Sequence, residues 1–167
     1  RGEQFPRASV FKFLLRLHAT APASPEGKAA LEITRNTLHK MAIGIRDHIG
    51  GGFHRYTVDR AWRVPHFEKM LCDQAQLAVT YCEAWQVTGD PLFLDVARDT
   101  LEYVLRELTH PEGGFFSAAD AESLVAHGGA RQAEGAFYLW TAAEISDALG
   151  PEEARIFAFH YGVQSAG

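Results

Sequence analysis

The sequence predicts an all-α protein of antiparallel helix pairs, the architecture of an α/α solenoid or a closed α/α toroid. Three observations carry that expectation. Four long segments repeat apolar residues at steps of three and four, the period of a helix face. These segments alternate between charge-poor and charge-rich, as the inner and outer helices of a layered fold do. A Gly-Gly-Phe triplet follows each charge-rich segment, at Gly51-Gly52-Phe53 and at Gly113-Gly114-Phe115, an offset of 62 residues (115 − 53).

The first helix is expected from about Pro6 to Ala19, apolar apart from Arg7, Lys12 and Arg16. The second has Ser24 as its N-cap and Pro25 at its first position, and its stripe is Leu31, Thr34, Leu38, Met41 and Ile45. A third starts near Glu68 with the stripe Leu71, Ala75, Ala78, Cys82 and Trp85. It has no charge from Gln74 to Cys82, so it is expected to be covered nearly all round. The fourth has Asp90 as cap and Pro91 first, with Phe93, Ala97, Leu101, Val104 and Leu108 as its stripe. A third pair of shorter helices is expected from Thr141, which forms a capping box with Glu144. After each Gly-Gly-Phe come short extended patterns, "FHRYTVD" and "FFSAADA", and later "GAFYLW". These are β-like connectors from an outer helix to the next inner one.

Composition narrows the function. The chain has 167 residues and is 47% hydrophobic and 22% charged, an ordinary globular mixture that points to one domain. A net charge of −5 argues against a nucleic-acid surface. No apolar run approaches the ~20 residues that span a bilayer, so no membrane contact is expected. Cys72 and Cys82 lie ten positions apart (82 − 72) in one helical pattern. That is ~15 Å along a helix, out of disulfide reach, and two reduced thiols suit a cytoplasmic protein. The start at Arg1 and the end in "YGVQSAG" read as a piece cut from a longer chain.

Connectors from outer to inner helices emerge at the N-terminal ends of the inner helices, where backbone N–H groups and the positive dipole ends also point. In a closed ring they converge on one face. The first connector offers His54, Arg55, Asp59, Trp62, His66, Phe67, Glu68 and Asp73, and the second offers Asp120, Glu122, Glu134, Tyr138 and Trp140. Aromatic faces take the C–H side of a sugar, carboxylates and Arg bind hydroxyls, and paired carboxylates exchange protons. Ordinary roles compete at each position. Asp59 and Asp120 also suit turn caps, Glu68 a helix-dipole partner, the histidines loop hydrogen bonds, and Trp62, Phe67, Tyr138 and Trp140 core packing. His54, His66 and Glu68 lack a tight ligand spacing, so no metal is expected, and no cofactor fingerprint is present.

The blocks "RDHIGGGFHRYTVDRAWRVPHFEKMLCDQAQLA" from Arg46, "GGFFSAADAES" and "EGAFYLWT" closely resemble the spermatogenesis-associated, thioredoxin-like protein family, whose bacterial members include YyaL-like proteins. The resemblance runs from "QFP" at Gln4 to "HYGV" at His160. It departs at Cys72, where the family has tyrosine, and at "QFP", where the family has "KFP".

The resemblance implies a thioredoxin-like domain elsewhere in the full-length protein and an (α/α)6 toroid akin to six-hairpin glycosidases and sugar 2-epimerases. Residues 1–167 would be a single partial domain, the first two or three helix pairs, with short β-hairpins in its connectors. The expected function is carbohydrate binding or glycosidase- or epimerase-like acid/base chemistry on a sugar or other polyhydroxylated small molecule. Glu68, Asp120, Glu122 and His66 would be catalytic. His54, Arg55, Trp62, Phe67, Asp73, Glu134, Tyr138 and Trp140 would bind the ligand. The alternative is a non-catalytic scaffold or protein-interaction module, which would leave the carboxylates scattered and locally paired.

Overall fold

The structure, a computed structural model, describes residues 2–125 and 130–164. Arg1 and residues 165–167, on which the reading of a cut chain rests, lie outside them. The described residues are mostly helical, with three two-stranded sheets among them, and the chain divides into two compact units, residues 1–121 and 122–167.

The first unit holds α1 (Ala8–Thr20), α2 (Pro25–Ile43), α3 (Leu71–Thr88) and α4 (Pro91–Glu107). Local chemistry sets their starts. Ser24 accepts a hydrogen bond from Gly27 N with Pro25 beside it, and Asp90 accepts one from Leu92 N with Pro91 beside it. Gly89, in the left-handed region at φ 69°, ends α3. α1 and α3 pack together, α2 lies on α1 and α4 on α3, which is the inner-outer order that charge implies. Their shared core contains Phe11, Leu15, Leu38, Met41, Phe53, Leu77, Tyr81, Phe93 and Val96.

Two helix faces depart from expectation. On α3 the buried residues are Gln74, Leu77, Ala78, Thr80, Tyr81 and Ala84, so the face is rotated from the Ala75–Trp85 stripe. Polar Gln74 and Tyr81 go inside because they are satisfied there. Gln74 bonds both backbone groups of Phe53, and the Tyr81 hydroxyl donates to Leu38 O at 2.8 Å. Nor is α3 covered all round, since Val79, Trp85 and Val87 are exposed. On α4, Leu101 is exposed while Thr100 and Tyr103 are buried.

The two Gly-Gly-Phe triplets close matching hairpins. Arg46 bridges Phe53, and Thr109 bridges Phe115. Each turn has two glycines at positive φ, Gly51 (80°) and Gly52 (72°), then Gly113 (98°) and Gly114 (82°). After the first, β1 (Tyr56–Thr57) pairs antiparallel with β2 (Pro65–His66). After the second, β4 (Ala118–Ala119) pairs antiparallel with β3 (Lys69–Met70), at the start of α3.

The second unit holds β5 (Glu122–Leu124) paired with β6 (Gln132–Glu134), then α5 (Ala142–Leu149) and α6 (Pro151–Tyr161). The Thr141–Glu144 capping box is formed. "GAFYLW" is a turn and not a strand, because Gly135 at φ 71° reverses the chain and its carbonyl accepts from Tyr138 N and Leu139 N. No helix among the described residues is long and apolar enough to cross a membrane.

Candidate functional site

The residues leading into α3 are locked from both sides of the glycine hairpin. Lys69 is 2% exposed, and its ammonium donates to Asp47 Oδ2 at 2.8 Å and to Gly51 O at 2.7 Å while lying 4.6 Å from the Tyr103 ring centroid. Burial lowers the Lys69 pKa, and the bonds to Asp47 work against that. Burial works to raise the Asp47 carboxyl, but Lys69 and the Gly50 and Ile49 N–H groups outweigh it and hold it below the usual range. Gln74, wholly buried, accepts from Phe53 N and donates to Phe53 O, both at 2.7 Å, acting as a strand partner for one residue. Gly52 is required here, since a Cβ would lie 2.6 Å from Tyr103 Cδ1.

Successive side chains in an extended chain point to opposite faces. With Lys69 turned inward, Glu68 faces the other way, toward Arg55. The Arg55 Nη1 to Glu68 Oε2 distance is 2.8 Å, and Arg55 N also donates to Glu68 O at 2.8 Å. His66 Nε2 stands 3.9 Å from the same Glu68 oxygen. The His66 ring stacks on Tyr56, with centroids 4.7 Å apart, and Tyr56 in turn packs on Phe5. The side chains of Glu68 and His66 are each 23% exposed and that of Arg55 is 42% exposed, so the group opens to solvent on one side.

Asp73, in the first turn of α3, completes the group. Its Oδ2 is buried and has no hydrogen-bond partner among the described residues. Burial raises its pKa, the positive charge of Arg55 opposes that, and the negative charge of Glu68 adds to it. The β3–β4 register pairs Lys69 with Ala119 and Met70 with Ala118. Arg55, His66, Glu68 and Asp73 thus gather at the N-terminal end of α3, and Asp120 follows β4 directly. Among the described residues, no three His, Cys, Asp or Glu side chains are arranged to hold a metal ion.

The other expected site residues lie elsewhere. Trp62 is corrected from ligand platform to core: it is 3% exposed and belongs to the hydrophobic cluster. Its φ of 62° folds it over Gly44, where a Cβ would meet Trp62 O at 2.2 Å. Asp59 caps the tip of its hairpin, accepting from Ala61, Arg63 and Val64 N–H groups. His54 is 5% exposed and donates from Nδ1 to Phe67 O, with Phe67 edge-on to its ring. Burial, reinforced by Lys69, lowers the His54 pKa to about 4, so the imidazole is neutral near pH 7. It sits behind the open group.

In the second unit, Glu122 and Glu134 are register partners on β5 and β6, a second pair of facing carboxylates. Tyr138 packs edge-on to Phe137, and Trp140, 62% exposed, lines a cleft of about 430 Å³ with Phe137, Leu139, Leu124, Val125 and Glu144. Reading the sequence missed Lys69, Gln74 and Asp47, which position the group. The one available signal was a single Lys beside the apolar start of the helix.

No family model matches the chain. Over 96% of its length it superposes on 43% of a sugar epimerase from a ruminal bacterium, with a TM-score of 0.59 and 13% identity. It also superposes over 95% of its length on 42% of cellobiose 2-epimerase from Spirochaeta thermophila, with a TM-score of 0.57 and 16% identity. At these identities the likeness is one of fold. In sequence, the chain is 45% identical over 98% of its length to spermatogenesis-associated protein 20 from Rattus norvegicus. It spans 22% of that relative. The chain therefore belongs to the spermatogenesis-associated protein family.

Proposed function

We propose that residues 1–167 are part of a six-hairpin α/α toroid, its first two or three helix pairs, and that the toroid binds or transforms a sugar. The observation that carries this reading is the gathering of Arg55, His66, Glu68 and Asp73 at the start of α3. The fold shared with sugar epimerases supports it. In the full-length protein a thioredoxin-like domain would accompany the toroid.

The two carboxyls differ in a way that suits proton transfer. Glu68 is paired with a guanidinium at 2.8 Å. Asp73 has one unpartnered buried oxygen, and burial raises its pKa from the usual carboxylate value. A paired carboxylate beside one whose pKa burial raises is an arrangement that acid and base roles can use. His66, 3.9 Å from Glu68, is proposed as a proton carrier between that carboxylate and a bound hydroxyl, and Asp120, next after β4, as a further carboxylate. Phe67 and Tyr56 supply aromatic surface beside the group. In the second unit, Glu122 and Glu134 with Tyr138 and Trp140 are proposed as further sugar contacts.

A stability argument points the same way. An unpartnered buried carboxyl oxygen destabilises a fold, and such groups persist where function needs them. The test is a ligand-observed NMR panel of mono- and disaccharides against wild type, Glu68→Gln and Asp73→Asn. A saturable sugar signal, lost in both variants while their folding is intact, is the expected result. Silence across the panel from the folded protein would refute the reading. It would favour a protein-interaction module instead, for which the exposed Phe137 (75%), Trp140 (62%) and Phe159 (91%) are the motivating observation.

A further inference from the structure

We propose that Phe5 and Tyr56 are positioning residues of the candidate site, holding the His66 imidazole in place beside Glu68. The segment that precedes α1 thereby becomes part of that site. The consequence for binding rests on the sugar reading above, in which His66 meets the ligand. The placement of the ring does not.

Backbone pairing sets three rings in one row. Tyr56 and His66 are register partners on β1 and β2, with ring centroids 4.7 Å apart and planes 16° from parallel. On the other edge of β1, Gln4 N donates to Thr57 O at 2.8 Å and Thr57 N donates to Gln4 O at 3.0 Å. That antiparallel bridge brings the next residue, Phe5, onto Tyr56, with centroids 4.8 Å apart. Both spacings match the ~4.8 Å between adjacent strands, so each ring comes from its own strand and Tyr56 is the middle one. The segment is anchored beyond the bridge as well. With its amide turned to satisfy both neighbours, Gln4 donates to Arg60 O at 3.2 Å and accepts from Trp62 Nε1 at 3.1 Å.

The row matters because of what stands at its end. Arg55 fixes the Glu68 carboxylate at 2.8 Å, while His66 Nε2 lies 3.9 Å from the same oxygen. At 3.9 Å the carboxylate attracts the imidazole but imposes no hydrogen-bond direction on it. A near-parallel stack does constrain the plane of a ring. Turned about its side-chain bonds, the imidazole would carry Nε2 away from Glu68, and the Tyr56 ring lies against that movement. Phe5, 40% exposed, closes the outer end of the row and backs Tyr56.

The test uses the full-length protein with ring-¹³C-labelled histidine, the His66 signal being assigned by its loss in His66→Gln. Circular dichroism checks the fold of each variant. Phe5→Ala alters neither Tyr56 nor His66, so a moved His66 signal reports a moved ring, and that is the expected result. Binding of glucose, mannose and cellobiose is then measured by saturation-transfer NMR. Tyr56→Leu is expected to weaken it roughly two- to tenfold, the worth of one aromatic pair, and Tyr56→Phe to keep it. In the His66→Gln background Tyr56→Leu is expected to add no further loss, because a residue acting through His66 has nothing left to position. An unmoved His66 signal in folded Phe5→Ala, or losses of Tyr56→Leu and His66→Gln that sum in full, would overturn the positioning role and leave the sugar reading in place. Binding of none of the three sugars would remove the sugar reading, and the His66 signal alone would then decide the role of the row.

Discussion

Replacing Lys69 by methionine tests whether its buried ammonium holds the glycine hairpin to the start of α3. Methionine keeps the length of the side chain and most of its apolar contact, so the change isolates the charge. It removes the 2.8 Å bond to Asp47, the 2.7 Å bond to Gly51 O and the contact with the Tyr103 ring. Breaking a buried ion pair by deleting one partner costs roughly 3–5 kcal/mol, because the other charge stays behind. Asp47 keeps its bonds from Ile49 N and Gly50 N, and its side chain is 13% exposed. The expected loss is therefore near the lower end, about 3 kcal/mol, or roughly 6–12 °C in Tm for a chain of this size. Urea denaturation of wild type, Lys69→Met, Asp47→Asn and the double variant measures both the loss and the coupling. The double variant is expected to recover at least about 1 kcal/mol of the summed single losses. A Lys69→Met protein within about 0.5 kcal/mol of wild type would refute the locking role.

Four further outcomes are open to direct measurement. Gln74→Ala strands the N–H and C=O of Phe53 and is expected to destabilise by about 2–4 kcal/mol in the same denaturation assay. Gly52→Ala forces a Cβ against Tyr103 at φ 72°, so a loss above about 2 kcal/mol is expected, whereas Gly89→Ala meets no neighbour and should lose less. His54 has a folded pKa of about 4, below its ordinary 6.5, so the unfolded chain binds more protons between those values and stability falls as pH drops through that window. The loss approaches about 3 kcal/mol by pH 4 and should vanish from the pH profile of His54→Asn. Asp73 is the opposite case: its raised folded pKa makes stability fall as pH rises above 3.8, so Asp73→Asn is expected to be more stable than wild type at neutral pH.

What the sequence made legible was local. Ser24-Pro25, Asp90-Pro91 and the Thr141–Glu144 box mark helix starts because caps act within three residues, and all three stand where the motifs place them. The paired glycines before Phe53 and Phe115 mark hairpins for the same reason. Contacts between distant segments were not legible. Gln74 and Tyr81 lie off the apolar stripe in sequence, and it is Phe53 and the Leu38 carbonyl, brought from elsewhere in the chain, that satisfy them inside. Trp62 reads as either a binding platform or core packing, and its 3% exposure with φ 62° shows the second. Residues of the candidate group could be named from the pattern, since Arg55, His66, Glu68 and Asp73 flank one helix start. Their different states could not. Those depend on Arg55 meeting Glu68 across the hairpin and on Asp73 losing water.

The most direct measurement is the carboxyl ¹³C titration of Asp73 in wild type, Glu68→Gln and Arg55→Gln. If Arg55, Glu68 and Asp73 form one site, Asp73 titrates above its ordinary 3.8 in wild type. Its pKa then falls when the Glu68 charge is removed and rises when that of Arg55 is removed. An Asp73 that titrates near 3.8 in all three proteins would mean that the carboxyls do not act on one another, and the candidate site would be lost.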